Sequence, residues 1–301
     1  MRIFLTGATG FIGSRILTEL QAAGHQVIGL ARSDASDAAL TAVGAEVQPG
    51  TLDSPETLLA AVSAADAVIH TAFDHDFSRF VANCEKDRRV ILAIGNALAG
   101  RRCPLIITSG TAMGDADDGE PASELNFNPA HPNPRVASEL AGNQLLDAGV
   151  EVRVVRLPQV HDTVRQGLLT YYIQQAAEKG VAAIVGEGNN CWSAGHINDV
   201  ARLYLRVLER GEKGRRYHAV DEEAVPSRLV ANVVAEKLGI PLKSLSAEQS
   251  VAHFGWFAAF ANMDLRATSA LTRQQLDWLP RGPTLLDDLS NMDYRGVTTS
   301  R

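Results

Sequence analysis

Three glycines spaced three residues apart, Gly7, Gly10 and Gly13, lie in Thr6-Gly7-Ala8-Thr9-Gly10-Phe11-Ile12-Gly13, directly behind the apolar run Ile3-Phe4-Leu5. Such a turn lets backbone N–H groups approach a phosphate because no Cβ stands in the way, and a helix start behind it adds a dipole that favours an anion. The segment is therefore read as the grip on a dinucleotide pyrophosphate. Glycine triplets also occur at ordinary turns, so context decides. A helix is expected over residues 11–23, and a second apolar strand, Gln26–Ala31, completes a strand-helix-strand unit. That strand runs out on Arg32-Ser33. A guanidinium fork and a hydroxyl suit the 2′-phosphate of NADP better than the bare ribose of NAD, for which Asp34 is the residue that argues.

Composition narrows the partners. With 301 residues and 46% apolar content, the chain has room for one large or two modest domains with a proper core. Its net charge of −7 and pI near 5.6 disfavour nucleic acid and acidic membrane surfaces, leaving a small molecule as the expected ligand of a monomer or homodimer. Cys84, Cys103 and Cys191 follow no metal or CxxC spacing, which suits reduced thiols. No leader-like segment precedes Arg2 and no run of about 18 apolar residues occurs, so a cytoplasmic protein is expected. The acidic stretch Asp115, Asp117, Asp118, Glu120 lacks a calcium-loop pattern and reads as a solvated loop.

Short β-rich runs alternate with helical spacing through the first half. Strands are expected at 26–31, 46–48, 67–71, 105–109 and 152–157, with helices at 77–98 and 135–146 between them. This is an α/β pattern, a doubly wound parallel Rossmann sheet spanning 1–157 with a return segment near 192–220. Beyond Leu157 the regularity breaks at Pro158, Gly167, Gly180 and Gly186–Asn190. Residues 158–191 and 221–301 are expected to form a smaller substrate-binding lobe, with helices at 198–208 and 226–238 and a frayed tail from Asn291.

Several segments, in order, resemble the short-chain dehydrogenase/reductase superfamily in its extended and atypical, epimerase/dehydratase-like branches. TGATGFIGS is similar to that family's nucleotide turn, Leu52-Asp53 to its adenine contact, and His70-Thr71-Ala72-Phe73 to the strand end beneath the cofactor. Thr108-Ser109-Gly110-Thr111 resembles the site of its catalytic serine, Arg156-Leu157-Pro158-Gln159-Val160-His161 its nicotinamide-flanking loop, and His196–Ala201 its hinge back to the sheet. The resemblance implies a Tyr and, four residues on, a Lys; here those slots hold Arg135 and Glu139, with His131 preceding. His131-x-x-x-Arg135 is similar to an atypical subgroup in which these residues replace the usual pair. An arginine stays protonated at neutral pH and cannot hand over a proton, so Arg135 is assigned an electrostatic hold on a substrate oxygen. An imidazole titrates near neutrality and Ser109 carries a hydroxyl, so His131 is expected to deliver the proton, Ser109 to orient the oxygen and Glu139 to accept from ribose hydroxyls. The same residues also describe an ordinary solvated helix start.

On the substrate side, His161, Tyr171, Tyr172 and Trp192 are the expected contacts, and Phe254, Trp256, Phe257 and Phe260 read as lobe core or subunit contact. The leading expectation is an NADPH-dependent oxidoreductase reducing a carbonyl or related polarised double bond. A non-catalytic NADP-binding regulator and an epimerase or dehydratase are the alternatives.

Overall fold

The computed structural model describes residues 1–116 and 118–295. The first half lays down β1 (Arg2–Thr6), α1 (Phe11–Ala22), β2 (Gln26–Ala31), α2 (Asp34–Ala42), β3 (Glu46–Pro49), α3 (Leu59–Ala64), β4 (Ala67–His70), α4 (Phe80–Ala97), β5 (Leu105–Gly110), α5 (Val136–Asp147) and β6 (Val152–Leu157). The second half continues with β7 (Gln159–His161), α6 (Leu169–Lys179), β8 (Ala182–Val185), β9 (Cys191–His196), α7 (Ile197–Arg210), β10 (Arg216–His218), β11 (Glu222–Pro226) and α8 (Ser227–Leu238). It closes with β12 (Leu242–Leu245), α9 (Ala247–Phe254), α10 (Ala258–Ala261), α11 (Ala270–Leu276) and α12 (Leu285–Asn291).

Seven parallel strands form one sheet in the order β10-β6-β5-β4-β1-β2-β3. The winding reverses between β1 and β4, which leaves a crevice at their carboxyl ends, the place where open α/β sheets take ligands. Ile3, Phe4 and Leu5 are all fully buried because both faces are covered. Ile3 and Leu5 pack towards α1 and α7, whereas Phe4 packs towards α3, α4 and α5. A second core belongs to the C-terminal half, where β7, β9 and β11 make a three-stranded sheet and β8 pairs with β12.

Some local expectations change. The helix foreseen from Phe77 opens as a single 3-10 turn, Phe77–Arg79, because Asp76 accepts from the Ser78 amide and α4 starts only at Phe80. The tail is not frayed at its start: Met292 and Tyr294 are buried in the second core, and residues 296–301 lie outside the described residues. Asp117 of the acidic stretch is likewise outside them; among the described residues no group of three or more His, Cys, Asp or Glu converges on a metal-sized site. No described helix is long and apolar enough to cross a membrane.

One buried ionic cluster ties the sheet to its loops. Arg156 on β6 and Glu139 on α5 are both 0% exposed and share a two-pronged bond, Nε to Oε1 at 2.7 Å and Nη2 to Oε2 at 2.9 Å. Arg156 also donates to the carbonyls of Met113, Ser123 and Asn126, while Arg216 on β10 reaches Glu139 at 2.7 Å. Burial alone would raise the Glu139 pKa, but the two arginines outweigh it and hold the carboxyl below its usual range. His218 completes the cluster, with Nε2 3.2 Å from Arg156 Nη1 and Nδ1 2.8 Å from the Thr268 carbonyl. Since arginine only donates and a carbonyl only accepts, the ring carries its proton on Nδ1.

Desolvation and the adjacent Arg156 charge push the His218 pKa down to about 3. An unfolded imidazole, near 6.5, takes up a proton that the folded ring refuses, so this contribution is complete above about pH 6.5 and is lost as pH falls. The melting temperature is expected to decline from about pH 6.5 downward. His218→Asn, which keeps a donor for the Thr268 carbonyl, should remove about one proton's share of that slope; an unchanged slope refutes the linkage.

Candidate functional site

The glycine turn sits at the mouth of the crevice. Gly7 has φ +72°, and a Cβ there would lie 2.8 Å from Thr71 Oγ1 and 2.9 Å from the Ala72 amide nitrogen. A Cβ on Gly13 would run into the Gly7 carbonyl, so that glycine lets α1 close onto the turn. Gly10 is the N-cap of α1; no side chain caps this helix end and its first turn holds no acidic residue. Donor N–H groups and an open cradle with no competing carboxylate fit the diphosphate of a dinucleotide.

A chain of hydrogen bonds runs inward from this turn. Thr6 Oγ1 accepts from the amides of Thr71 and Ala72, each at 3.2 Å, so its own proton goes to His70 Nδ1 at 2.8 Å. With Nδ1 accepting, His70 donates through Nε2 to Asp87 Oδ1 at 2.9 Å. The other oxygen, Oδ2, receives Arg135 Nη1 at 2.5 Å and the Ser138 hydroxyl at 2.6 Å. Asp87 is only 1% exposed. Burial pushes its pKa up, but the Arg135 charge and the bonds from His70 and Ser138 prevail and hold it far below the usual carboxylate range.

Arg135 is thereby fixed at the carboxyl end of β5. It donates through Nη1 to Ser138 and through Nη2 to the Thr108 carbonyl at 3.0 Å, and its guanidinium lies 4.2 Å from the Phe73 ring centroid. Thr108 itself is braced by the buried Tyr204 hydroxyl, 2.6 Å away. Next in the chain, Ser109 is 3% exposed, and its hydroxyl oxygen has no hydrogen-bond partner among the described residues. Leaving a buried hydroxyl unpaired costs about 1–3 kcal/mol, a debt that a ligand oxygen can discharge.

The start of α5 corrects one expectation. The helix begins at Val136 with Arg135 as its N-cap, and His131 stands in the preceding loop. His131 Nδ1 accepts from the Asn133 amide at 3.1 Å, which puts the proton of the neutral ring on Nε2, and Asn133 Oδ1 accepts from the Arg135 amide at 2.9 Å. Glu139 has no route to a ribose: it is wholly buried, with both oxygens spent on Arg156 and Arg216.

Three expected substrate contacts also lie elsewhere. His161 is fully buried with Nδ1 2.7 Å from Asp288, and Tyr172 donates to the Ala183 carbonyl at 3.1 Å inside the second core. Trp192 packs in that core, where it and Tyr172 line an apolar void of about 40 Å³. Phe254 and Phe257 belong to the same core, and Tyr171 packs at its edge against Phe77 and Trp256.

Around the crevice, Arg32 is exposed at the end of β2. Ser33 uses its hydroxyl to cap α2, accepting from the Ser36 amide at 3.3 Å. Asp53 pairs with Lys86 at 2.8 Å, and Leu52 is partly buried against the α3–α5 core. Leu157 and Val160 pack into the α1–α7 core beside Pro158. Asp87 escaped the sequence reading because Glu85-Lys86-Asp87-Arg88-Arg89 looks like a solvated charge run. Its signal was positional: Asp87 shares the buried face of α4 with Cys84, Val90, Ile91 and Ile94.

Several known proteins share the sequence and the fold. An uncharacterized protein of Schizosaccharomyces pombe is 42% identical over 98% of this chain and 100% of its own length. A 4-hydroxy-2-methyl-3-oxo-4-farnesyl-3,4-dihydroquinoline-1-oxide ketoreductase of Stigmatella aurantiaca is 26% identical over 99% of this chain and 93% of its own. The structure of a dTDP-glucose 4,6-dehydratase of Streptomyces venezuelae with NAD bound superposes with a TM-score of 0.77 at 18% identity, covering 98% of this chain and 96% of that one. With residues 3–220 matching its sequence pattern from the first strand to the last strand of the main sheet, the chain belongs to the NAD dependent epimerase/dehydratase family.

Proposed function

We propose that this protein is an NADPH-dependent oxidoreductase that reduces a carbonyl, or a related polarised double bond, of a small metabolite. Family membership and a distant ketoreductase relative support an enzyme of redox type. The observation that carries the reading is Arg135, braced by Asp87 and bonded to the Thr108 carbonyl, next in the chain to a buried Ser109 hydroxyl that has no partner among the described residues. When bound, the reduced dinucleotide supplies the hydride. The glycine turn (Gly7, Thr9, Gly10, Phe11, Ile12, Gly13) takes its diphosphate, Leu52 and Asp53 flank the adenine, and Thr71, Ala72, Phe73, Leu157, Pro158 and Val160 line the nicotinamide half. Arg32 receives the 2′-phosphate, with the Ser33 hydroxyl beside it. On this reading residues 1–157 with the return segment near 192–220 hold the cofactor, and the remainder closes over the substrate.

Arg135 has five N–H groups; bonds to Asp87, Ser138 and Thr108 leave donors to spare for a substrate oxygen. Ser109 donates to the same oxygen, so negative charge developing there meets a fixed cation and a hydroxyl in a site already organised. The proton reaches the oxygen through His131 Nε2, yielding the alcohol. Arg135 keeps its own proton throughout, because its charge is what stabilises the buried Asp87.

Three outcomes test this. Loss of reduced-nicotinamide absorbance with a panel of ketones and aldehydes establishes turnover, and its absence across the panel with tight NADPH binding selects the regulator alternative. Arg135→Lys, which keeps a cation beside Asp87 but loses the fork, is expected to lower kcat/KM about 10²-fold, and Ser109→Ala about tenfold or more, the latter without moving the Kd for NADPH. Arg32→Ala should weaken NADPH binding about 10- to 100-fold by calorimetry while leaving NADH unchanged; equal weakening of both would show that Arg32 does not read the 2′-phosphate.

A further inference from the structure

Arg135 is the first member of an aromatic wall that crosses from the sheet to the second core. Its guanidinium lies over Phe73, whose ring meets Phe80 edge-on at 6.2 Å. Phe80 in turn lies 5.5 Å from Phe77. Phe77, in the 3-10 turn ahead of α4, stacks face to face on Trp256 at 4.7 Å with 3° between the ring planes, and Tyr171 from α6 stands edge-on to both, at 5.6 and 5.2 Å. Trp256 is 39% exposed and Phe77 half-buried, so the wall reaches the surface. Exposed aromatic rings in continuous contact with a reactive centre are a surface that water covers poorly and a planar apolar body covers well.

Charge at the base of the wall points the same way. The Arg135 cation is matched by the Asp87 carboxylate at 2.5 Å, so the pair carries no net charge towards the wall. A neutral carbonyl is served by the spare Arg135 N–H groups, which also meet the charge that develops on its oxygen, whereas a permanent carboxylate or diphosphate gains less from a cation already matched by Asp87.

We propose that the substrate is a neutral carbonyl compound with a planar apolar body, aromatic or conjugated, which lies against Phe77, Tyr171 and Trp256 while its oxygen reaches Arg135 and Ser109. This rests on the reading of the site as a carbonyl reductase and adds the substrate class to it.

The full chain with NADPH is assayed against aryl and enone carbonyls, the same compounds bearing a carboxylate, a small aliphatic ketone and a nucleoside diphosphate sugar. Neutral aryl or enone compounds are expected to exceed their carboxylated counterparts about tenfold or more in kcat/KM. Trp256→Ala and Phe77→Ala should raise KM for them about tenfold while leaving the small ketone within about twofold. In parallel, an unreactive aryl alcohol is titrated against the NADPH complex and followed by tryptophan fluorescence, with Trp256→Phe expected to abolish the change. Preference for the carboxylated or nucleotide-linked compounds, or equal behaviour of the Trp256 and Phe77 variants on all substrates, overturns the proposal. If nothing is turned over, the reductase reading fails by itself; the titration still decides the wall, and an alcohol that binds with no Trp256-dependent signal or does not bind overturns it.

Discussion

A carboxylate sealed from water has to be surrounded by donors or the fold around it does not close, and Asp87 is such a group. Moving an unpaired carboxylate into the interior costs several kcal/mol, so His70, Ser138 and Arg135 must all be in place for α4 to lie on the sheet. Those donors come from two elements that are distant in the chain. His70 ends β4 and is hydrogen-bonded to Thr6 at the end of β1; Ser138 and Arg135 open α5; Arg135 in addition holds the β5 carbonyl of Thr108. One buried charge thus sets the relative position of the glycine turn, the strand carrying Ser109 and the only cation that reaches its neighbouring carbonyl among the described contacts.

The second buried pair does a different job. Glu139 and Arg156 lie on α5 and β6, and the bonds of Arg156 go to loop carbonyls and to His218 rather than to the crevice. Four residues separate Arg135 from Glu139 on the chain, yet they meet opposite fates: the first sits at the N-cap with its guanidinium at the crevice, the second inside the protein. The resemblance implied a ribose contact at Glu139, which its burial between Arg156 and Arg216 leaves no oxygen to make. What a lysine would do for a ribose in that slot, a carboxylate locked between two arginines cannot do.

Much of the fold was legible because it rests on local rules. Alternating apolar strands and helices, and glycines where a Cβ would collide, are properties of short windows, and the expected strands at 26–31 and 152–157 coincide with β2 and β6. Ends were less readable: the 3-10 turn before α4 depends on Asp76 taking the Ser78 amide. Burial of His161, Tyr172 and Trp192 depended on the second core, whose strands β7, β9 and β11 are far apart in the chain and pair by no local signal.

From the residues alone came the parallel α/β plan, the open glycine turn and the family, because glycine spacing and hydrophobic period act within one strand-helix-strand unit. Tertiary structure alone decided which charges are buried together. Asp87 and Arg135 are 48 residues apart and Glu139 and Arg156 are 17, and nothing in a linear charge pattern says which ions will be stripped of water. That depends on the closing of the sheet, where desolvation leaves each carboxylate a choice between a partner and an unfolded chain.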